Sequence, residues 1–431
     1  MSSELAINGG EKTAYNPFPL WPQFAEKTIT DIIGPLKNGK VNYWTGPKGM
    51  EFEDRFAQWA GAKMAISCTS GTSAVHIAVG SLNIGPGDEV IVPSYTFIAT
   101  SFAVLQAGAI PVFCDCTEDH TIDPGKIESL ITPRTKAIIV VHLYGIVCNM
   151  DMIMDIARKR NLKVIEDSAQ CLGGEYKGQK VGTVGDIGTF SFCQSKHFTT
   201  GGEGGMVVTK DEELGWNCRA FRDHGFDVKK KFDLLALEEK STYIHNQVGF
   251  NFRMTEIQSI IGINELERFD NWNLPRRYKY AEMYDNAFKN LVGIKALPLN
   301  TAERKNSYWQ YPILLDLNKL TVEANGFIKA LAAEGIPSYK IQWPEAYRER
   351  VFLEHNGFGT AKFPFRSKEY SNPDSVKYDR VICQVSRSLF PQTVCLYLHP
   401  TWSEQDIEVC IQGFKKVLSY YNKERLVRSG N

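Results

Sequence analysis

The chain predicts an α/β fold, a mostly parallel central sheet flanked by helices, followed by a smaller α+β domain. Two patterns carry this reading. From about Met64 to Ala169 one unit repeats, an apolar strand-like run, a turn and a segment of helical spacing, which is how a parallel sheet with crossover helices is written. Beyond residue 275 short strand-like and helical segments alternate without that regularity. The 431 residues exceed a single simple core, since a domain takes about 100 to 200 residues, and suggest two tightly joined domains.

The strand candidates of the repeat are Met64–Thr69, Glu89–Ser94, Ile110–Cys114, Ala137–His142 and Lys163–Asp167. Between them Ala74, Ile77, Ala78 and Leu82 recur on one helical face, as do Ile153, Ile156 and Ala157. A parallel sheet carries its ligand crevice at the carboxyl ends of its strands, so functional residues should follow the apolar runs. Shorter strands are expected at Gly188–Phe192 and Gly205–Thr209, then a polar, Lys-rich loop from Asp227 to Lys240 that could cross to another subunit. Met254–Asn271 reads as a helix that Pro275, lacking an amide proton, should not let continue. The domain boundary is therefore placed there, giving 1–274 and 275–431. In the second part Trp309–Leu317 reads as a strand, Val322–Glu334 as a helix closed by Gly335, and Ser403 with Asp406 opens the last helix.

Lys plus Arg and Asp plus Glu both total 49, so no net charge draws the chain to nucleic acid or an anionic membrane. Its start lacks the blocks of a signal peptide and its longest apolar runs fall far short of a membrane span, which points to a soluble cytoplasmic protein. The ten cysteines have no C-x-x-C spacing and read as reduced, mostly buried small residues, with no metal site expected.

Two stretches carry chemistry. In VIEDSAQ (Val164–Gln170) an apolar strand ends in Glu166 and Asp167, and alternation lets only one of the two carboxylates face the ligand edge. A carboxylate there can hold a pyridine nitrogen protonated, so that the ring accepts electrons; an ion pair or a helix cap is the other reading. In TFSFCQSKHFTTGGEGG (Thr189–Gly205) Lys196 follows a strand, Ser191 precedes it by five residues, and glycines beyond it permit close backbone approach. A lysine amine with lowered pKa can form a Schiff base with an aldehyde cofactor and act as a base. Thr69-Ser70-Gly71-Thr72 begins a helix directly after a strand, where free amides and the helix dipole suit a phosphate; ordinary N-capping by Ser70 or Thr72 explains the same residues. GGEGG does not fit the dinucleotide-binding frame.

With SGT at a strand end, then SYTFIAT, EDSAQ and SFCQSKHFTTGGEGG in this order, the chain resembles the DegT/DnrJ/StrS sugar aminotransferases, fold type I enzymes that use pyridoxal 5'-phosphate. The resemblance extends from LAINGG and NYWTG (Asn42–Gly46) to GFNFRMTEIQ (Gly249–Gln258) and weakens in the last third. It implies that Lys196 carries the cofactor as a Schiff base, that Asp167 pairs with the pyridine nitrogen and that Gln170 lies near the ring hydroxyl. Phe97 would stack on the ring, a core phenylalanine being its other reading. Gly71, Thr72 and Ser191 would hold the phosphate with Asn251 from a second subunit, completing the site only in a homodimer. Arg253 would meet a substrate carboxylate or phosphate, or else form a structural ion pair. His142 and Tyr144 would lie near the rim, and Asn42, Tyr43 and Trp44 would supply an entrance loop.

The implied reaction is a ping-pong transfer from glutamate or glutamine, through pyridoxamine phosphate, to a keto sugar, nucleotide-linked or not, or a keto cyclitol. Two other readings belong to the same family resemblance. One is a sugar dehydratase with histidine in the lysine position, but His197 stands one place too late. The other is a non-catalytic, cofactor-binding regulator, for which no DNA-binding appendage is recognisable.

Overall fold

Seven strands between residues 64 and 209 form one sheet: β1 (Met64–Cys68), β2 (Glu89–Pro93), β3 (Ile110–Cys114), β4 (Thr135–Val141), β5 (Lys163–Asp167), β6 (Ile187–Ser191) and β7 (Gly205–Thr209). Their order is β1-β7-β6-β5-β4-β2-β3, and only β7 runs antiparallel to its neighbours. The flanking helices are α1 (Lys48–Ala60), α2 (Gly71–Ser81), α3 (Ala99–Gln106), α4 (Met150–Arg160) and α5 (Glu212–Arg222). The computed structural model describes residues 4–230, 244–342, 345–370 and 376–423. Of the expected Lys-rich loop, residues 231–240 lie outside the described residues.

The strands are apolar on both faces because both faces are covered. Ile139 and Ile165 pack with Ala74, Ile77 and Val104 of α2 and α3, whereas Ile138, Val140 and Val164 pack with Ile153 and Ala157 of α4. The period of two thus divides β4 and β5 cleanly between two cores. Helix α2 departs from the one-sided pattern expected of it: Ala74 to Val79 are all buried, because the helix is wedged between the sheet and α3 and α5.

Register brings the strand ends level. Cys68 and Ser191 both oppose Gly205, and Asp167 lies between Val141 and Thr189. The reversal of β7 puts its first residue beside its neighbours' last residues. A side chain on Gly205 would place Cβ only 2.3 Å from the Ser70 carbonyl oxygen, so glycine is required where β7 passes the start of α2.

A buried charge cluster ties α1 to this edge. Glu53 accepts from the Ser67 amide and hydroxyl at 2.9 Å each, from Arg222 Nη1 at 2.6 Å and from the Tyr43 hydroxyl at 2.9 Å, and pairs with Arg219 Nη2 at 2.9 Å. The arginines hold the Glu53 carboxyl below its ordinary range against the opposing effect of burial.

The second sheet is antiparallel, in the order β8 (Ile294–Ala296), β9 (Tyr311–Leu315), β11 (Thr393–Leu396) and β10 (Ser338–Tyr339). It is reached through α6 (Glu256–Arg268), a π-helical turn (Phe269–Asn273) and α7 (Leu274–Phe288). Pro275 therefore does not stop the helical run. It occupies the first turn of α7, where a missing amide proton breaks no hydrogen bond, and the π-helical turn absorbs the change of register. The sheet is covered by α8 (Ala324–Ala333), after which Gly335 takes φ +81°, and by α9 (Glu404–Tyr421), opened by a Ser403–Asp406 capping box. Neither sheets nor cores divide cleanly at residue 274, since Arg304–Lys305 pairs antiparallel with Glu175–Tyr176 in a third, three-stranded sheet. Tyr347, Phe352 and Tyr378 pack into the first sheet's core, and Leu5 packs into the second's. No helix among the described residues is long and apolar enough to cross a membrane.

Removing Glu53 leaves two buried guanidinium groups unpaired. Glu53→Ala should lose about 3–5 kcal/mol of unfolding free energy in a urea titration; a loss below about 1 kcal/mol would mean that water or Tyr43 compensates.

Candidate active site

Seven of the residues singled out from the sequence, Gly71, Thr72, Phe97, Asp167, Gln170, Ser191 and Lys196, line one cavity of about 510 Å³ at the carboxyl edge of the first sheet. The strand alternation decides between the two adjacent acids. Glu166 shares the face of Val164 and is fully engaged, accepting from the amides of Gly182, Val184 and Gly185 at 2.8, 2.7 and 2.6 Å and from His142 Nε2 at 3.0 Å. Asp167 turns to the α2 and α3 side. It accepts from Thr100 Oγ1 at 2.9 Å and the Ala169 amide at 3.1 Å, and burial raises its pKa against these two neutral donors.

Lys196 faces the same cavity. Desolvation pulls its pKa down to about 8, with Asp167 opposing, and its Nζ lies 4.3 Å from the centroid of the Trp309 ring. Its backbone is clamped from three distant segments: the carbonyls of Ser195, Lys196 and His197 accept from Trp309 Nε1 at 2.5 Å, Trp21 Nε1 at 3.1 Å and Asn273 Nδ2 at 2.5 Å. Loop residues held this way keep one side chain in register with a strand without belonging to one. His197 is buried, with Nε2 3.1 Å from the Ser307 carbonyl, and does not line the cavity.

Gln170 Oε1 accepts from the Tyr144 amide at 2.8 Å, which fixes the amide's orientation and leaves Nε2 as its donor end. Phe97 is 46 % exposed and lines the cavity, so it is not a core residue. At the start of α2, Ser70 does cap, its hydroxyl accepting from Ser73 N at 3.1 Å. That satisfies one amide of the first turn, and the preceding amides of Gly71 and Thr72 have no acceptor within the helix. A Cβ on Gly71 would lie 2.6 Å from Ser191 Cβ, so the strand end and the helix start approach as closely as backbone permits.

The expected substrate contacts are placed elsewhere. His142 is wholly buried on the Glu166 side of the sheet, its Nδ1 accepting from Cys148 N at 3.1 Å. Tyr144 is buried too, its hydroxyl accepting from Ile341 N at 3.1 Å, and joins β4 to the second sheet. Neither reaches the rim, because both side chains are consumed by packing. Tyr43 belongs to the Glu53 cluster, with the Arg222 guanidinium 4.2 Å from its ring centroid. Trp44 donates through Nε1 to Asp223 Oδ2 at 2.6 Å, and Asn42 folds its own turn by accepting from Trp44 N at 3.0 Å. Arg253 forms an ion pair with buried Asp223 rather than facing the cavity. Asn251 is exposed, bridged to Asp223 through backbone, and lies outside the cavity of this chain. Sequence reasoning missed Thr100 and Trp309; the former sat unused within SYTFIAT, and nothing local marks the latter.

These residues fit pyridoxal 5'-phosphate. An acid at a strand end, a lysine of depressed pKa, an exposed aromatic face and unfilled helix-start amides beside a glycine cradle share a cavity of suitable size.

Residues 22–372 match the model of the DegT/DnrJ/EryC1/StrS aminotransferase family. A GDP-perosamine synthase of Caulobacter vibrioides is 42 % identical over 68 % of this chain and 76 % of its own length. The solved aminotransferase of Psychrobacter cryohalolentis superposes with a TM-score of 0.82 at 33 % identity, covering 94 % of this chain and 100 % of that one. A sugar aminotransferase of Streptococcus pneumoniae, solved in its pyridoxamine-phosphate form, gives 0.78 at 28 % identity over 94 % and 100 %. The chain belongs to the DegT/DnrJ/EryC1/StrS aminotransferase family and is a pyridoxal-phosphate-dependent aminotransferase of fold type I.

Proposed function

We propose that this enzyme moves an amino group from glutamate or glutamine to a keto sugar, best sought among nucleotide-linked ones, or to a keto cyclitol, in a ping-pong cycle. The observation that carries the catalytic part is the meeting of Lys196 and Asp167 in one desolvated cavity. Support for a sugar acceptor comes from the relatives' activities, that of the GDP-perosamine synthase among them.

Bound pyridoxal phosphate supplies an aldehyde to which amines attach and a ring that stores the electron pair left when a carbon loses its proton. Asp167, fixed by Thr100 and Ala169, would hold the ring nitrogen protonated. Phe97 would cover a ring face, and the Gln170 amide nitrogen would donate to the ring hydroxyl. The amides of Gly71 and Thr72 and the Ser191 hydroxyl would hold the phosphate, with Asn251 of a second subunit. Lys196 Nζ would hold the aldehyde when the cofactor is bound and, as a neutral amine in the same cavity, would serve as the base that accepts and returns the donor's proton. Its lowered pKa makes the neutral, proton-accepting amine available near pH 8.

The homodimer has a physical basis in apolar side chains left exposed near the N-terminus: Leu20 is 80 % and Leu36 62 % accessible in the single chain. A cytoplasmic location agrees with ten unpaired cysteines, all buried except Cys193.

A screen of nucleotide-linked keto sugars and inososes against the pyridoxamine form should yield an aminated product for at least one; turnover confined to 2-oxo acids would overturn the acceptor reading. Lys196→Ala and Asp167→Ala should each lower turnover by on the order of 10³-fold or more in a coupled assay while thermal unfolding shifts little. Unchanged rates would remove either residue from the chemistry. Because the neutral amine is the nucleophile, cofactor uptake by the apoenzyme should accelerate about tenfold per pH unit and level off around pH 8, followed by absorbance. A plateau in the ordinary lysine range would mean that Lys196 is not desolvated.

A further inference from the structure

Arg277, in the first turn of α7, is fully buried, yet among the described residues no aspartate or glutamate pairs with it. Burial alone acts on the guanidinium and pushes its pKa down to about 9. A cation away from water is costly, and the Arg219 and Arg222 guanidinium groups escape that cost through Glu53. Arg277 meets only neutral groups, and each of them leads to the loop that carries Lys196.

Nε donates to Asn273 Oδ1 at 2.8 Å, which leaves Asn273 Nδ2 as the donor to the His197 carbonyl. Nη1 donates to the Tyr308 carbonyl at 3.0 Å and the Trp309 carbonyl at 3.4 Å, and Trp309 Nε1 in turn donates to the Ser195 carbonyl. The guanidinium carbon also lies 5.9 Å from the ring centroid of Trp21, within cation–π reach, and Trp21 Nε1 donates to the Lys196 carbonyl. One cation thus meets all three side chains that hold the carbonyls of residues 195, 196 and 197.

The backbone at the second of these contacts is strained. Tyr308 takes φ +51°, a left-handed conformation that a bulky side chain rarely adopts, and its carbonyl goes to Arg277 while the next side chain reaches back to Ser195. Only a planar fork, with donors in fixed directions, makes these contacts together; an ammonium on a flexible stem would not. We infer that Arg277 is a positioning residue for the reaction: acting through Asn273, Trp309 and Trp21, its guanidinium sets the carbonyls that hold Lys196 in the cavity, with Lys196 taken as the cofactor lysine of the reading above. Without that support the loop admits water to the amine, whose proton affinity returns toward that of an ordinary lysine.

Arg277→Met keeps a similar volume and strands no opposite charge, so the variant should fold, as circular dichroism and thermal unfolding of the apoenzyme report. Cofactor uptake by that apoenzyme, followed by absorbance against pH, should level off about one to two units above the parent's plateau around pH 8. Its rate should be roughly 5- to 50-fold lower at pH 8 and converge with the parent's above about pH 10. Arg277→Lys, which restores a cation without the fork, should shift the plateau with the same sign. Asn273→Leu should do so too, and the double variant with Arg277→Met should move less than the sum of the two single shifts. An unmoved plateau in folded Arg277→Met, fully additive shifts, or failure of both Arg277 variants to fold would overturn the inference and assign the arginine to the fold alone. If Lys196→Ala takes up cofactor with the parent's absorbance change, the lysine assignment itself falls.

Discussion

The arrangement depends on the two-residue period of β5. Glu166 and Asp167 are adjacent acids at the end of one buried strand, and the pleat sends them to opposite faces of the sheet. Glu166 then becomes structural, gathering three loop amides and His142, while Asp167 is left with two neutral donors in the cavity. A slip of one residue would exchange these environments. The parallel register with β4 and β6 prevents it, because each neighbour buries an apolar row on both sides.

Lys196 shows the complementary strategy. Desolvation lowers its proton affinity, and no regular element positions it. Side-chain donors from the N-terminal segment, the helical turn before α7 and the approach to β9 instead fix three successive carbonyls around it. The reactive amine is thus held by parts of the chain that fold far from it in sequence, which ties the second sheet to the chemistry of the first.

Much of this was legible in the sequence where the signal is local. The strands of the first sheet came within a residue or two of their observed ends, and the cofactor-side residues fall in short motifs at strand termini, where a parallel sheet must put them. Pro275 misled because a proline ends a helix only when its amide is needed, and a π-helical turn removed that need. Tyr43, His142 and Tyr144 misled for another reason, while Arg253 took the structural ion pair that was its other reading: polar side chains near a strand end look alike in sequence whether they face a ligand or a buried partner. Their partners, Glu53, Glu166, the Ile341 amide and Asp223, are distant in the chain or on another face. Trp309 was invisible as a site residue for the same reason, since only the folded chain brings it beside Lys196.

The single reversed strand has one more consequence. Because β7 returns antiparallel beside β6, with Ser191 paired to Gly205, the segment bearing Lys196 is a closed hairpin excursion whose two feet stand on neighbouring rungs. The loop is thereby pinned at both feet by the first sheet and near its tip by Trp309, so that a shift of the second sheet would be felt at the backbone that carries the amine.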